Sequence, residues 1–175
     1  MLTANPYSPP RSDVDDISSK EAGFQEVRIW SADGRIGRLR YWAYFSVAYL
    51  MFKIATLAVS TLLGPMAVVL TPVTAVAGCV YVLFLFLIGI RRCHDMDWSG
   101  WMSILSIIPV VGLLWVFKRG TAGENSYGLP PPPNTTGVRI AAFSLVAVFV
   151  IGILAAIALP QYQQYTQSAK AMQAP

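Results

Sequence analysis

Charge is what this chain has least of. Only 13% of its 175 residues are Asp, Glu, Lys or Arg, against about 25% in a soluble domain. Hydrophobic residues make up 55%, and the mean hydropathy is +0.52. A chain so poor in polar side chains cannot clothe itself in a wetted surface, so much of it faces lipid. Acid is scarcer than base, nine residues against thirteen, and no Asp or Glu falls inside an apolar run. The net charge of +4 is not a nucleic-acid footprint, because the basic residues flank apolar runs, the pattern that orients membrane proteins. Histidine occurs once and cysteine twice, at Cys79 and Cys93. About fourteen helical positions separate the two thiols, roughly 20 Å of rise, too far for a disulfide; both are expected free. The spacing matches no zinc pattern, and there is no nucleophilic Ser motif, phosphate loop or HExxH. The expectation is no metal, no cofactor and no catalytic site. A secretory signal is also not visible, since the N-terminus carries Asp13, Asp15 and Asp16 rather than a basic region before a short apolar stretch.

Against that background one stretch stands out. Arg91–Trp101 holds the single His, two of the nine acidic residues, two of the thirteen basic ones and two of the five Trp. A long apolar run ends just before it and another begins just after, so the densest polar chemistry sits where membrane meets water.

Read in order, residues 1–23 form a disordered acidic tail, and residues 24–130 a membrane domain. Asp33-Gly34 marks a turn. Arg35, Arg38 and Arg40 then crowd before the first apolar run, with Tyr41, Trp42 and Tyr44 as an aromatic belt; the same arginines also suit lipid phosphate. Tyr41–Leu63 is long enough to span a hydrocarbon core of about 30 Å. Lys53 lies near its middle and is expected to face the bundle interior or water, pairing with Thr71, Thr74, Asp95, Glu124 or a carbonyl, or to snorkel. Gly64-Pro65 turns the chain. Met66–Ile90 is the second span, kinked by Pro72. Trp98–Phe117 is broken by Ile108–Gly112 and has basic pairs on both sides, Arg91-Arg92 and Lys118-Arg119. Two short helices turning at Pro109–Gly112 and re-entering on the same side satisfy both pairs. A shaped glycine-rich loop, Gly120–Pro130, and a proline-rich linker, residues 131–137, follow. Val138–Leu159 is the last span, ended by Pro160, within a terminal region of residues 138–175. The fold class is thus an all-α integral membrane protein, a small helical bundle with three full transmembrane helices and a re-entrant helical hairpin.

Four elements in order, GRIGRLRYW at 34–42, RRCHDMDWSGW at 91–101, IPVVG at 108–112 and GTAGENSYGLP at 120–130, resemble the domain-of-unknown-function 805 family of small bacterial inner-membrane proteins. That resemblance implies a bacterial inner membrane and an all-helical bundle, and no activity. Residues 148–170, with Gly152–Tyr162 at their heart, resemble the hydrophobic N-terminal helix of type IV pilins. Here Arg139 stands where the mature Phe of a pilin would be, and Phe143 where its Glu would be. The helix is therefore expected to be retained, packing through Gly152, Ala155 and Ala156 against the chain's own bundle or a pilin helix.

Cys93, His94, Asp95 and Asp97 include possible metal ligands, and His94 beside Asp95 is a possible acid–base pair. The simpler reading is an interfacial network in which Asp95 or Asp97 pairs with Arg35, Arg38, Arg91 or Arg92, while Trp98 and Trp101 anchor the turn. The functional expectation is a non-enzymatic scaffold or interaction partner near pilus machinery, touching the bilayer, anionic lipid headgroups and a pilin or other membrane protein, with its N-terminus cytoplasmic and its C-terminus periplasmic. The alternative is a small transporter or channel using Lys53 and the His94/Asp95/Asp97 cluster.

Overall fold

A computed structural model describes residues 23–25 and 27–173; the acidic tail lies almost wholly outside them. Among the described residues the chain is helical, without strands: α1 (Arg38–Leu63), α2 (Thr71–Asp95), α3 (Pro109–Phe117) and α4 (Thr136–Gln173). Gly64, at φ +50°, stops α1 where no other residue type fits easily. A 3-10 segment, Gly64–Leu70, leads into α2. Pro72 falls in the first turn of α2, where its missing N–H is not needed. It starts that helix rather than kinking it, which corrects the sequence expectation. α1 and α2 fold back on each other, fixed by the stacked rings of Phe52 and Tyr81 at 4.9 Å.

Trp98–Lys118 returns to the end of α2 from which it leaves. The Trp98 N–H donates to the Cys93 carbonyl, and the Lys118 carbonyl accepts from Arg92, one residue away. Between them run a 3-10 helix, Gly100–Ile107, and α3. The reversal comes at Ile108, extended at φ −78° and ψ 115°, slightly before the expected Pro109–Gly112. Gly112 belongs to the first turn of α3, where a Cβ would sit 2.8 Å from the Ser106 carbonyl oxygen.

α4 starts beside the first turns of α1, tied by the Arg40 guanidinium, which donates to the Pro133 carbonyl at 3.1 Å. Among its described side chains Ala142 alone is buried. The helix runs on through Pro160 to Gln173 rather than ending at Leu159. A proline inside a helix removes one intrahelical hydrogen bond and crowds the carbonyl four residues earlier, and that single loss does not stop so long a helix. The expected packing through Gly152, Ala155 and Ala156 is not how α4 meets its own bundle, because a Cβ on Gly152 would find no atom within 4 Å.

The burial pattern is inverted relative to a soluble protein. Arg35, Arg40, Ser46, Arg91, Arg92, Asp95 and Ser103 are buried, while Met51, Ile54, Leu57, Phe149 and Ile151 are exposed. Two stretches, Arg38–Asp95 and Thr136–Lys170, are long and apolar enough to cross a membrane, and only 11% and 6% of their most apolar parts are buried. The core helix of a soluble protein would be mostly covered, so this pattern fits lipid as the solvent.

Replacing Gly112 by Ala should overpack the reversal, costing about 1–3 kcal/mol and lowering the unfolding midpoint in detergent. An unchanged midpoint would show that the turn relaxes freely.

Candidate functional site

The site is built on the last turn of α2. Asp95 is 3% exposed. One carboxylate oxygen accepts from Arg35 at 3.2 Å and the other from Arg92 at 2.6 Å. Arg35 comes from the irregular segment before α1 and is 1% exposed. Its terminal nitrogens also donate to the carbonyls of Gly123 (2.7 Å), Gly128 (3.0 Å) and Thr121 (2.7 Å) and to the Thr121 hydroxyl. Arg92 donates to the carbonyls of Trp115 (2.7 Å) and Lys118, which the end of α3 leaves without intrahelical partners. Gly120 has to be glycine, since a Cβ there would lie 2.0 Å from an Asp95 oxygen. The next N–H, of Thr121, donates to the Asp95 carbonyl at 2.7 Å.

Asp97 does not join this network. It adopts φ +57°, the left-handed position just past a helix. Its N–H donates to the His94 carbonyl, and that of Trp98 donates to the Cys93 carbonyl. This pair of bonds is the Schellman termination, here with Asp instead of the usual Gly. Trp98 supplies the accompanying apolar contact, packing against Cys93, Met96 and Trp115. The Asp97 side chain accepts from the Ser126 N–H at 3.3 Å.

His94 sits beside the network, its ring stacked on Tyr127 at 3.9 Å and its Nδ1 3.3 Å from the Gly34 carbonyl. Asn125 accepts from the Tyr127 N–H and donates to the His94 carbonyl at 2.8 Å. The Cys93 thiol is buried and free and accepts the Trp115 indole N–H at 3.2 Å. Among the described residues no three His, Cys, Asp or Glu side chains are placed to hold a metal.

The remaining basic residues separate. Arg38 is exposed and caps the Phe117 carbonyl at 3.1 Å. Arg40 and Arg91 are buried as well, and neither pairs with Asp95, which Arg35 and Arg92 share. Lys53 is exposed, its amine 5.7 Å from the centre of the Tyr49 ring. It faces outward instead of into the bundle, and Thr71 and Thr74 donate to backbone carbonyls three residues earlier. The sequence marks Gly120, Thr121 and Asn125 only collectively, as part of the glycine-rich loop and of the GTAGENSYGLP element, and not as partners of Asp95.

A family model described as a protein of unknown function, DUF805, matches residues 29–129, which includes every residue of this network. Inner membrane protein YhaI of Escherichia coli (strain K12) is 30% identical over 106 residues, covering 56% of this chain and 83% of YhaI. Inner membrane protein YhaH of the same strain is 30% identical over 102 residues, covering 56% of this chain and 84% of YhaH. No solved structure matches. The family match ends before α4, so the pilin resemblance rests on its own residues.

Asp95→Ala leaves two buried guanidiniums without their carboxylate and should cost about 3–5 kcal/mol, read as a lower unfolding midpoint in detergent. Asp97→Gly should leave the midpoint unchanged or raise it, since glycine suits the left-handed turn; equal losses in the two variants would refute this division of roles.

Proposed function

The chain belongs to the DUF805 family of proteins of unknown function, and we propose that it serves as a scaffold or interaction partner in the bacterial inner membrane, without catalytic activity of its own. In this reading α1, α2 and α4 are three full spans, Trp98–Lys118 re-enters, the N-terminus is cytoplasmic and the C-terminus periplasmic. Arg35–Arg40, Arg91-Arg92 and Lys118-Arg119 then share the cytoplasmic face, as the positive-inside pattern asks. The naming of YhaI and YhaH as inner membrane proteins supports the location.

One observation carries the reading. Both oxygens of Asp95, and the terminal nitrogens of Arg35 and Arg92, are committed to each other and to backbone carbonyls. That is the arrangement of a structural lock rather than of a reacting centre. A transport path through Lys53 and the His94 cluster loses support, because Lys53 points outward roughly 20 Å along α1 from the level of Asp95. The partners proposed are the bilayer, anionic headgroups at the arginine-rich end, and a helix of another membrane protein, a pilin included, against the uncovered length of α4.

Reporter fusions after Pro133 and Pro175 should report cytoplasm and periplasm respectively; the reverse pair would overturn the topology. Photocrosslinkers on α4 beyond Ala142 should capture a membrane partner, and Gly152→Leu with Ala156→Leu should weaken that capture while insertion stays normal. Unchanged capture would remove the small-residue face from the interface.

A further inference from the structure

A second site lies beside the lock, on another face of α2. Val82, Phe86, Ile90 and His94 are four residues apart and so fall in one stripe along that helix. Phe86, Ile90 and His94 line a pocket of about 350 Å³, closed by Ser99, Trp101 and Tyr127. That is the size of a small-molecule site. Its lining holds no Asp, Glu, Lys or Arg. From His94 the stripe descends about 12 Å along α2 to Phe86 and continues to Val82, which is 63% exposed. Trp101 is largely uncovered as well.

The imidazole is held in one orientation. Its ring lies flat against Tyr127, 3.9 Å between centres and 6° between planes. Nδ1 stands 3.3 Å from the Gly34 carbonyl oxygen. A carbonyl only accepts, so Nδ1 carries the proton, and in the neutral ring Nε2 is left as an acceptor. Among the described residues neither Nε2 nor the Ser99 hydroxyl has a hydrogen-bond partner. Nε2 stays open because residue 100 is glycine: a Cβ there would lie 3.1 Å from Nε2 and 2.8 Å from Cγ2 of Ile90. The pocket thus offers a free acceptor in an uncharged slot that leads onto the uncovered apolar length of α2. Nothing in its lining offsets the desolvation of a phosphate or carboxylate head. The rings of Phe86, Trp101 and Tyr127 suit a planar ligand, and the acceptor asks for a hydroxyl.

We propose that this pocket binds the head of a membrane quinol, one ring hydroxyl donating to Nε2 of His94 and the isoprenoid tail following Phe86 and Val82 into the bilayer. The oxidised quinone has carbonyls in place of hydroxyls and only accepts. To meet it, the imidazole would have to carry its proton on Nε2 and give up the Gly34 bond, so the site favours the reduced form. The inference adds a ligand to the scaffold reading and does not depend on it.

The test uses the full chain in detergent without oxygen, read by native mass spectrometry and calorimetry. The probes are a benzoquinol and a naphthoquinol with decyl tails, their quinones, their bis-methyl ethers, and decanol. One quinol per chain should bind about fivefold tighter than its quinone or its ether, the worth of one hydrogen bond. The tighter of the two quinols identifies the head. His94→Phe keeps a ring against Tyr127 but has no acceptor, so the preference for quinol over ether should vanish. Trp101→Ala should weaken quinol and ether alike, about fivefold, the worth of one aromatic contact. Ala48→Trp fills the separate apolar groove between α1, α2 and α4 and should bind as wild type does. The wild-type comparison of quinol with ether needs no variant, so it decides even if His94→Phe folds poorly. Equal binding of quinol and ether, an equal response to decanol, loss of binding in Ala48→Trp, or an unchanged quinol preference in His94→Phe would overturn the proposal.

Discussion

One carboxylate holds the arginine-rich end together. Asp95 lies where four pieces of chain meet: the segment bearing Arg35, the end of α2, the end of α3 reached through Arg92, and the loop that passes at Gly120 and Thr121. Between helices in lipid there is little hydrophobic drive to associate, so packing and hydrogen bonds choose the arrangement. A buried ion pair adds little net stability once desolvation is counted, yet removing one partner is severe. Asp95 therefore acts as a selector. Arrangements that leave its charge or its arginines bare are far worse than this one. The close approach it demands explains why the loop carries a glycine at 120, where any side chain would enter the carboxylate.

Much of this was legible in the sequence. The three apolar runs gave the long helices. The basic pairs on either side of Trp98–Phe117 required both its ends on one side, and both ends do meet Arg92 and its neighbour. What stayed hidden turns on backbone geometry. Arg35, Arg38 and Arg40 look equivalent in a short basic stretch. The helix begins at Arg38, leaving Arg35 in extended chain from which it reaches the loop, while Arg38 and Arg40, two positions apart at about 100° each, fall on opposite sides. Asp97 looked like a second candidate carboxylate because it is an Asp; only its positive φ reveals a helix terminator. Pro72 and Pro160 looked like a kink and a stop. One sits where a missing N–H costs nothing, and the other lies in a helix long enough to absorb it.

The two ends of the molecule obey different rules. At the arginine-rich end the buried residues cluster, from Ile36 and Ala43 to Ile88, Cys93, Met96 and Trp115, around the bonds of Asp95, Arg35 and Arg92. Toward the α1–α2 turn and along α4 from Phe143 to Leu159 most side chains are apolar and exposed. The hydroxyls in this region, at Thr56, Ser60, Thr61, Thr71 and Thr74, donate to backbone carbonyls three or four residues earlier, which is how a polar side chain survives without water. Lys53, resting against Tyr49, is the exception in charge but not in direction, since its amine turns back along α1 toward the charged end.

The hairpin of Trp98–Lys118 belongs to the lock and α4 does not. α2 covers its irregular backbone: a Cβ on Gly89 would lie 3.3 Å from Ser103, so the 3-10 helix beds directly against that helix. Ser106 satisfies the Ser103 carbonyl from within. At its far end the hairpin is held by the same Arg92 that grips Asp95, and Trp115 reaches back to Cys93. Releasing Asp95 therefore frees Arg92 and with it the end of α3, so the loop, α3 and the end of α2 loosen as one cooperative unit. α4 is joined through Arg40, Pro133 and the contact at Ala142, none of which touches Asp95. Its hold on the bundle is independent of the lock, which is the condition for a helix that exchanges one partner for another without unfolding the domain that carries it.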